Sequence, residues 1–293
     1  MSTPDTDPTF EALLDYISQN HAFDFTGYKR SSLMRRVQQR MQMLQIASYS
    51  DYSDYLKVNP PEFTPLFNTI EINVTSFFRD ASAWEYLSAK IIPQIIAGKS
   101  SSEPIRVWSA GCASGEEIYT LAMVLAYTLG VEQFRERVRI YGTDVDKEAL
   151  NQARLGSYLS KEVVGIPITL LEEYFERVAH RYVFRKDLRR SIIFCHHDMI
   201  QDAPMSAIDL LVCRNVLIYF ETEAQTRVLV RFHFGLKSSG FLFLGKAEML
   251  PTHTKLFTPV EPGQRVFTKL MRGHLNQSLL IMALDQRRQR RGS

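Results

Sequence analysis

Cysteine is scarce in this chain: three in 293 residues, at Cys112, Cys195 and Cys213, none in CxxC spacing. That excludes a disulfide framework, offers no zinc cage and suits a reducing compartment. HExxH is missing, and the adjacent His196 and His197 would point to opposite faces of a strand, so no metal is expected. No apolar run approaches about 18 residues, and no basic stretch with an apolar core opens the chain. Membrane insertion and secretion are therefore not expected, and a cytoplasmic location is. The excess of one charge sign is small, +3 from 35 basic and 32 acidic residues, so local clusters rather than bulk charge must select partners. A continuous basic stripe with interleaved aromatics is also lacking, so nucleic acid is not an expected partner.

What is present centres on the stretch from Ile105 to Ala126, IRVWSAGCASGEEIYTLAMVLA. It reads as a short apolar strand, a turn of small residues holding Gly111 and Gly115, and an apolar helix from about Glu116. Such a unit seats nucleotides in many α/β proteins, and Gly111 is placed where the backbone would meet the ligand. No Gly-Lys-Ser/Thr follows Gly115, so it is not a Walker A loop. Glu116 and Glu117 would repel a pyrophosphate at a helix N-terminus, which favours an uncharged or cationic ligand there.

Residues 1–8 are polar with two prolines and are expected to be disordered. Apolar residues at helical spacing, first Phe10 to Ile17 and then Leu33 to Leu44, predict a helical domain over 9–72. Its second helix carries Arg30, Arg35, Arg36 and Arg40, either a solvated face or a docking surface for an acidic partner. Asn73 and Thr75 stand at a helix junction where either could be a cap, and Arg79 could be a surface ion-pair former. Val138–Asp144 reads as a second strand ending in an acid; Asp144 is the better ribose acceptor, Asp146 its rival, and either could cap the helix over 147–154.

Residues 157–197 read as a small helix and a charged β-hairpin inserted into the α/β domain, which itself spans 73–270. The charges there, Arg177 to Arg190, suit a strand edge protected from aggregation. The apolar strand from Asp209 runs into Arg214-Asn215, which places that pair and Tyr219 beyond the carboxyl end of the sheet, where ligands bind. A helix from Glu223, a strand over 240–245 and a last strand over 265–270 complete the alternation, and 271–293 form a basic tail.

Four motifs in this order, NVTSFFRD, SAGCASGEEIYTLA, YGTDVD and CRNVLIYF, resemble the CheR family of chemotaxis-receptor methyltransferases over about residues 10–270. The resemblance implies a class I methyltransferase-type, mostly parallel sheet ending in an antiparallel strand. An N-terminal all-helical domain and a small antiparallel β subdomain would accompany it. It implies transfer of a methyl group from S-adenosylmethionine to glutamate side chains, giving S-adenosylhomocysteine. Carried over by position, Asn73, Thr75, Arg79, Glu117, Asp144, Asp198, Met199, Arg214 and Asn215 match cofactor contacts, and Arg79 and Tyr219 fall nearest the transferring methyl. Arg30, Arg35, Arg36 and Arg40 then become receptor-docking residues.

Two departures leave the required groups in place: Ile118 stands where the family commonly has proline, and Asp198-Met199 replaces Asn-Leu or Asp-Leu. The hairpin lacks the glycine-rich loop of members that grip a tethering peptide, so a tether-independent monomer is expected, acting on a chemoreceptor's cytoplasmic domain or another signalling protein. A non-catalytic module that senses the cofactor is the alternative. Arg79 and Tyr219 together argue against it, because a sensor has no use for them.

Overall fold

The computed structural model describes residues 7–21, 23–70, 75–250 and 256–270. The described chain divides into two compact units. One runs to Ile70 and includes Tyr219–Ala224; the other comprises Thr75–Ile218 and the chain from Gln225 onward.

In the first unit, the helical spacing of Phe10, Leu13 and Ile17 builds α1 (Pro8–His21), and that of Leu33, Val37 and Met41 builds α2 (Arg30–Met43). Ser48 starts α3 (Tyr49–Val58) by accepting a hydrogen bond from the Asp51 N–H, and a short turn at Pro60–Glu62 leads into α4 (Phe63–Ile70). Phe10, Leu13, Ile17, Val37, Tyr52 and Leu66 form its core. The chain returns here at Tyr219: Lys29 N–H donates to the Tyr219 carbonyl at 2.9 Å, and Tyr28 bridges to Phe220.

Two of the arginines expected to dock a partner are used inside this unit. Arg40 forks onto Glu62 through Nε at 2.6 Å and Nη2 at 2.7 Å, and Tyr52 also donates to Glu62. Arg30 pairs with Glu11 at 2.8 Å and donates to the Phe25 carbonyl. Their donors are thereby spent on holding helices together, whereas Arg35 is exposed and Arg36 half-exposed. Arg40→Ala should cost about 2–3 kcal/mol, because it leaves the buried Glu62 carboxylate without its charged donor. Thermal unfolding with proteolysis of this unit would read the loss, and an unchanged midpoint would return Arg40 to the surface.

In the second unit, α5 (Ala81–Tyr86), a π-helical turn at Leu87–Ile91 and α6 (Ile92–Ala97) lay Trp84, Leu87 and Ile91 on the sheet core. The strands are β1 (Ile105–Ala110), β2 (Val138–Asp144), β3 (Ser157–Leu159), β4 (Phe175–Val178), β5 (Arg181–Phe184), β6 (Ile192–His196), β7 (Ile208–Cys213), β8 (Leu236–Leu244), β9 (Phe257–Pro259) and β10 (Val266–Lys269). Helices α7 (Glu116–Leu129), α8 (Val131–Arg137), α9 (Lys147–Leu155), α10 (Ile168–Tyr174), α11 (Lys186–Arg189) and α12 (Thr222–Gly235) connect them. All six residues of β7 are buried, as in a strand covered on both faces.

The large sheet has the order β6-β2-β1-β7-β8-β10-β9. Its strands β6, β2, β1, β7 and β8 are mutually parallel, and β10 runs antiparallel to β8. The last strand among the described residues is thus antiparallel, as expected, but it is not the edge, because β9 pairs outside it. The separate three-stranded sheet β3-β5-β4 is the small antiparallel β subdomain. Here the expected insertion is corrected. The hairpin turns at Ala179-His180, β3 joins it, and β6 pairs with β2 in the large sheet instead of forming a hairpin arm. The inserted part therefore stops before β6.

Candidate functional site

The strand order reverses on either side of β1, which opens a crevice at the carboxyl ends of β1, β2 and β7. The turn after β1 enters it. Gly111 has φ 79°, and a Cβ there would stand 2.5 Å from Val216 Cγ2, so both conformation and space require glycine. Four of the turn's N–H groups are already spent. Those of Gly111 and Cys112 donate to the Thr143 carbonyl, that of Ala113 to Asp144 Oδ2, and that of Gly115 to the Cys112 carbonyl. A phosphate cradle needs free amides, and this turn offers acceptors instead.

Asp144 closes β2 at this point. Oδ2 accepts from Ala113 N–H at 2.8 Å and Oδ1 from Asp146 N–H at 3.0 Å, which fixes the carboxylate and leaves each oxygen a further lone pair. Asp146 has the other role: its Oδ1 accepts from Glu148 and Ala149 N–H and caps α9. Glu117, in the first turn of α7, accepts from the Ser109 hydroxyl at 2.7 Å and has Arg214 Nη1 at 3.8 Å. Burial pushes the Asp144 carboxyl above its ordinary range; the two backbone donors pull the other way. Burial likewise raises Glu117, against the pull of Arg214, Ser109 and Arg79.

An arm of the NVTSFFRD motif lies against this wall. Phe77 is buried, edge-on to Tyr158 and Phe175 of the small sheet, and Phe78 N–H donates to Thr120 of α7. Phe78 and Asp80 have φ of 50° and 61°, a left-handed backbone that non-glycine residues hold only when their surroundings enforce it. Arg214 supplies much of the enforcement. Its Nη2 donates to the Arg79 carbonyl at 2.9 Å and to Asp80 Oδ2 at 2.8 Å, and its plane lies over Trp84 and Phe243. Trp84 Nε1 donates to the same Arg79 carbonyl. Arg79 thus has an anchored backbone and an exposed side chain.

The resemblance implies that Arg214 contacts the cofactor; its Nη2 is committed to the Arg79 carbonyl and Asp80, its Nη1 lies 3.8 Å from Glu117, and its buried Nε has no hydrogen-bond partner among the described residues. The guanidinium lies between the half-buried Asp80 and the buried Glu117 carboxylates, whose charge it offsets. Asn215 does stand at the crevice, with φ 61° and a buried Oδ1 that has no hydrogen-bond partner among the described residues. Thr75 begins the described part of the arm, half-exposed. Asn73 lies outside the described residues. Asp198 Oδ1 accepts from Ile200 and Gln201 N–H and so shapes the turn after β6, while the buried Met199 gives its carbonyl to Arg231. Tyr219 ends a short 3-10 helix and groups with the first unit.

The sequence reading did not find Ser109, which holds Glu117, or Glu248, whose Oε1 accepts from Val216 N–H at 2.8 Å. A serine inside a strand and one acid after another strand carry no local signal. Two surface clefts, of about 480 and 410 Å³, are lined by residues of α7 to α9, α11, β6 and their flanks and hold none of the crevice residues. Among the described residues no cluster of histidine, cysteine or acid is placed to hold a metal, and no helix is long and apolar enough to cross a membrane.

Comparison with known proteins agrees with this geometry. Residues 73–266 match the CheR methyltransferase, SAM binding domain, and residues 8–70 match the CheR methyltransferase, all-alpha domain. An uncharacterized 104.1 kDa protein of Rhodobacter capsulatus is 33% identical over 89% of this chain, which spans 27% of that protein. The chemotaxis protein methyltransferase of Listeria monocytogenes is 29% identical over 84% of this chain and 92% of its own length. That of Escherichia coli is 31% identical over 86% and 88%. With a helical unit, a switch-point crevice of buried acids and both family domains in order along it, the chain belongs to the CheR methyltransferase family.

Proposed function

We propose that this protein transfers a methyl group from S-adenosylmethionine to glutamate side chains of a chemoreceptor or related signalling protein. The products are the glutamate methyl ester and S-adenosylhomocysteine. The observation that carries the cofactor is the polarity of the crevice: four amides of the Gly111 turn are consumed, and Glu117, Asp144 and Asn215 Oδ1 present acceptors. Such a surface suits a cation rich in hydrogen-bond donors. A role in chemotaxis is supported by the chemotaxis protein methyltransferase names of the Listeria and Escherichia relatives, and the glutamate by the resemblance of the four motifs.

When bound, S-adenosylmethionine supplies an electrophilic methyl on a sulfonium, which a carboxylate oxygen takes in one displacement while the electron pair of the broken bond stays on sulfur. Glu117 holds the cofactor's amine, and Asp144 accepts from its ribose hydroxyls. Thr75, Arg79, Gly111, Asp198, Met199, Arg214 and Asn215 complete the proposed contacts, with Asn73, outside the described residues, assigned by its motif alone. Arg79, displayed from its anchored turn, orients the substrate carboxylate. Partial rather than bidentate engagement preserves nucleophilicity, since a tight pair would hold the lone pairs back. A glutamate with an ordinary pKa of about 4.3 is already ionised at neutral pH, so no general base is required. Alignment is the chief task, worth up to roughly 7–11 kcal/mol. Tyr219 is the second residue proposed for catalysis, on the strength of the CRNVLIYF motif.

The enzyme acts as a cytoplasmic monomer independent of a tethering peptide, and the exposed Arg35 and half-exposed Arg36 are the docking residues that remain uncommitted to the helical core. Incubation with methyl-labelled cofactor and receptor cytoplasmic domains should give label that alkali releases, as a carboxyl ester does. Cofactor binding without transfer would instead favour the sensing module. Tyr219→Phe should slow transfer and leave cofactor affinity intact. Selective loss of affinity would remove it from catalysis.

A further inference from the structure

Beyond β8 the chain turns at Gly245 and brings Glu248 against the loop that leaves β7. Glu248 is 2% exposed, and its backbone N–H reaches the Gly245 carbonyl at 3.3 Å. A buried acid is unfavourable unless its oxygens are bonded, and the group that bonds Oε1 is the N–H of Val216. That amide follows Asn215, which holds a left-handed φ of 61°, a conformation asparagine can adopt and the bonded Val216 amide fixes in place. Val216 itself backs the glycine turn, with its Cγ2 at the place where a Cβ on Gly111 would stand.

We infer that Glu248 is a positioning residue: its carboxylate clamps the Val216 amide and thereby sets both the Asn215 conformation and the packing of Val216 behind the Gly111 turn. The clamp shapes the crevice before any ligand arrives. It rests on the proposed function only for the identity of that ligand.

The second oxygen of Glu248 adds to this. Glu248 Oε2 and Asn215 Oδ1 are both buried without a hydrogen-bond partner among the described residues. They close on one point, since a Cβ on Gly245 would stand 2.4 Å from Oε2 and 3.3 Å from Oδ1. A proton on Glu248 would give Asn215 Oδ1 a donor; burial raises the carboxyl in that direction, against the Val216 and Asn215 backbone N–H groups, which lower it. Glutamine offers the same pattern, an oxygen toward Val216 and an N–H toward Asn215. Gly245 is glycine because any larger residue would displace Oε2.

The test uses the full chain. Hydrogen–deuterium exchange of the ligand-free protein is followed in peptides covering residues 108–118 and 212–220, beside calorimetry with S-adenosylhomocysteine. Glu248→Ala should speed exchange in both peptides and weaken binding by about tenfold or more, while Glu248→Gln stays within about threefold of wild type. Gly245→Ala, which pushes Oε2 aside, should reproduce the alanine pattern and covers the case in which Glu248→Ala does not fold. Unchanged exchange in Glu248→Ala, or glutamine as damaging as alanine, would overturn the clamp. Wild-type protein that shows the exchange pattern yet binds no S-adenosylhomocysteine would retain the clamp and sink the proposed cofactor.

Discussion

Replacing Asp144 by alanine should abolish measurable S-adenosylmethionine binding in a calorimetric titration. The carboxylate ends β2 with a backbone N–H on each oxygen, so its aim is fixed and each oxygen keeps a lone pair for the proposed ribose contact. Alanine removes those acceptors and also leaves the Ala113 and Asp146 amides unpaired, at about 1–3 kcal/mol each if no water replaces the carboxylate. Thermal unfolding of the same variant separates that structural cost from the loss of ligand contact. Wild-type affinity in a folded Asp144→Ala protein would refute the ribose assignment.

The same carboxylate predicts a pH dependence. Burial raises the folded-state pKa of Asp144, and likewise of Glu117, above the unfolded values. Between the unfolded and folded values the native state binds more protons. The contribution of these groups to stability is therefore complete below the unfolded pKa and is lost as pH rises through the folded one. Cofactor affinity runs the opposite way. It should fall on acidification at a higher pH than ordinary carboxylates would give, because protonation removes the negative charge that faces a sulfonium.

The largest stability effect is expected from Arg214→Ala. With its side chain 3% exposed, the guanidinium sits between the Asp80 and Glu117 carboxylates and lies over Trp84 and Phe243. Removing one partner of a buried ionic group costs about 3–5 kcal/mol, which for a unit of this size lowers the midpoint by roughly 6–20 °C. The arm should loosen too, because the Arg79 carbonyl loses the stronger of its donors. Arg214→Lys keeps the charge without the fork or the planar stacking, and should fall between. A midpoint within about 2 °C of wild type for Arg214→Ala would show that the carboxylates find other partners or water.

These residues also mark what could be read in advance. β1, its glycine turn and α7 were legible because a strand and helix buried on every side leave a long apolar run broken only by small residues. Asp144 could be ranked above Asp146 as the ribose acid, but which acid caps α9 could not be read, since both stand at the same junction; the Glu148 and Ala149 N–H groups give the cap to Asp146. The segment RYVFRKDLRRSIIF reads as two strands, yet nothing local says that the first joins β3 and β4 while the second joins β2. Strand β9, three residues long, has no periodicity to detect.

By itself the sequence determined the main strands and helices, the acidic character of the ligand end and the family, because hydrophobic period and motif residues are properties of neighbouring positions. Only the tertiary structure decided which polar groups remain free for a ligand. Thr143 and Asp144 consume amides of the turn, Glu62 takes Arg40, Asp80 and Glu117 take Arg214, and Val216 is held by Glu248. Each of those pairings joins groups distant along the chain, and a buried polar group must find its partner wherever the packing brings one.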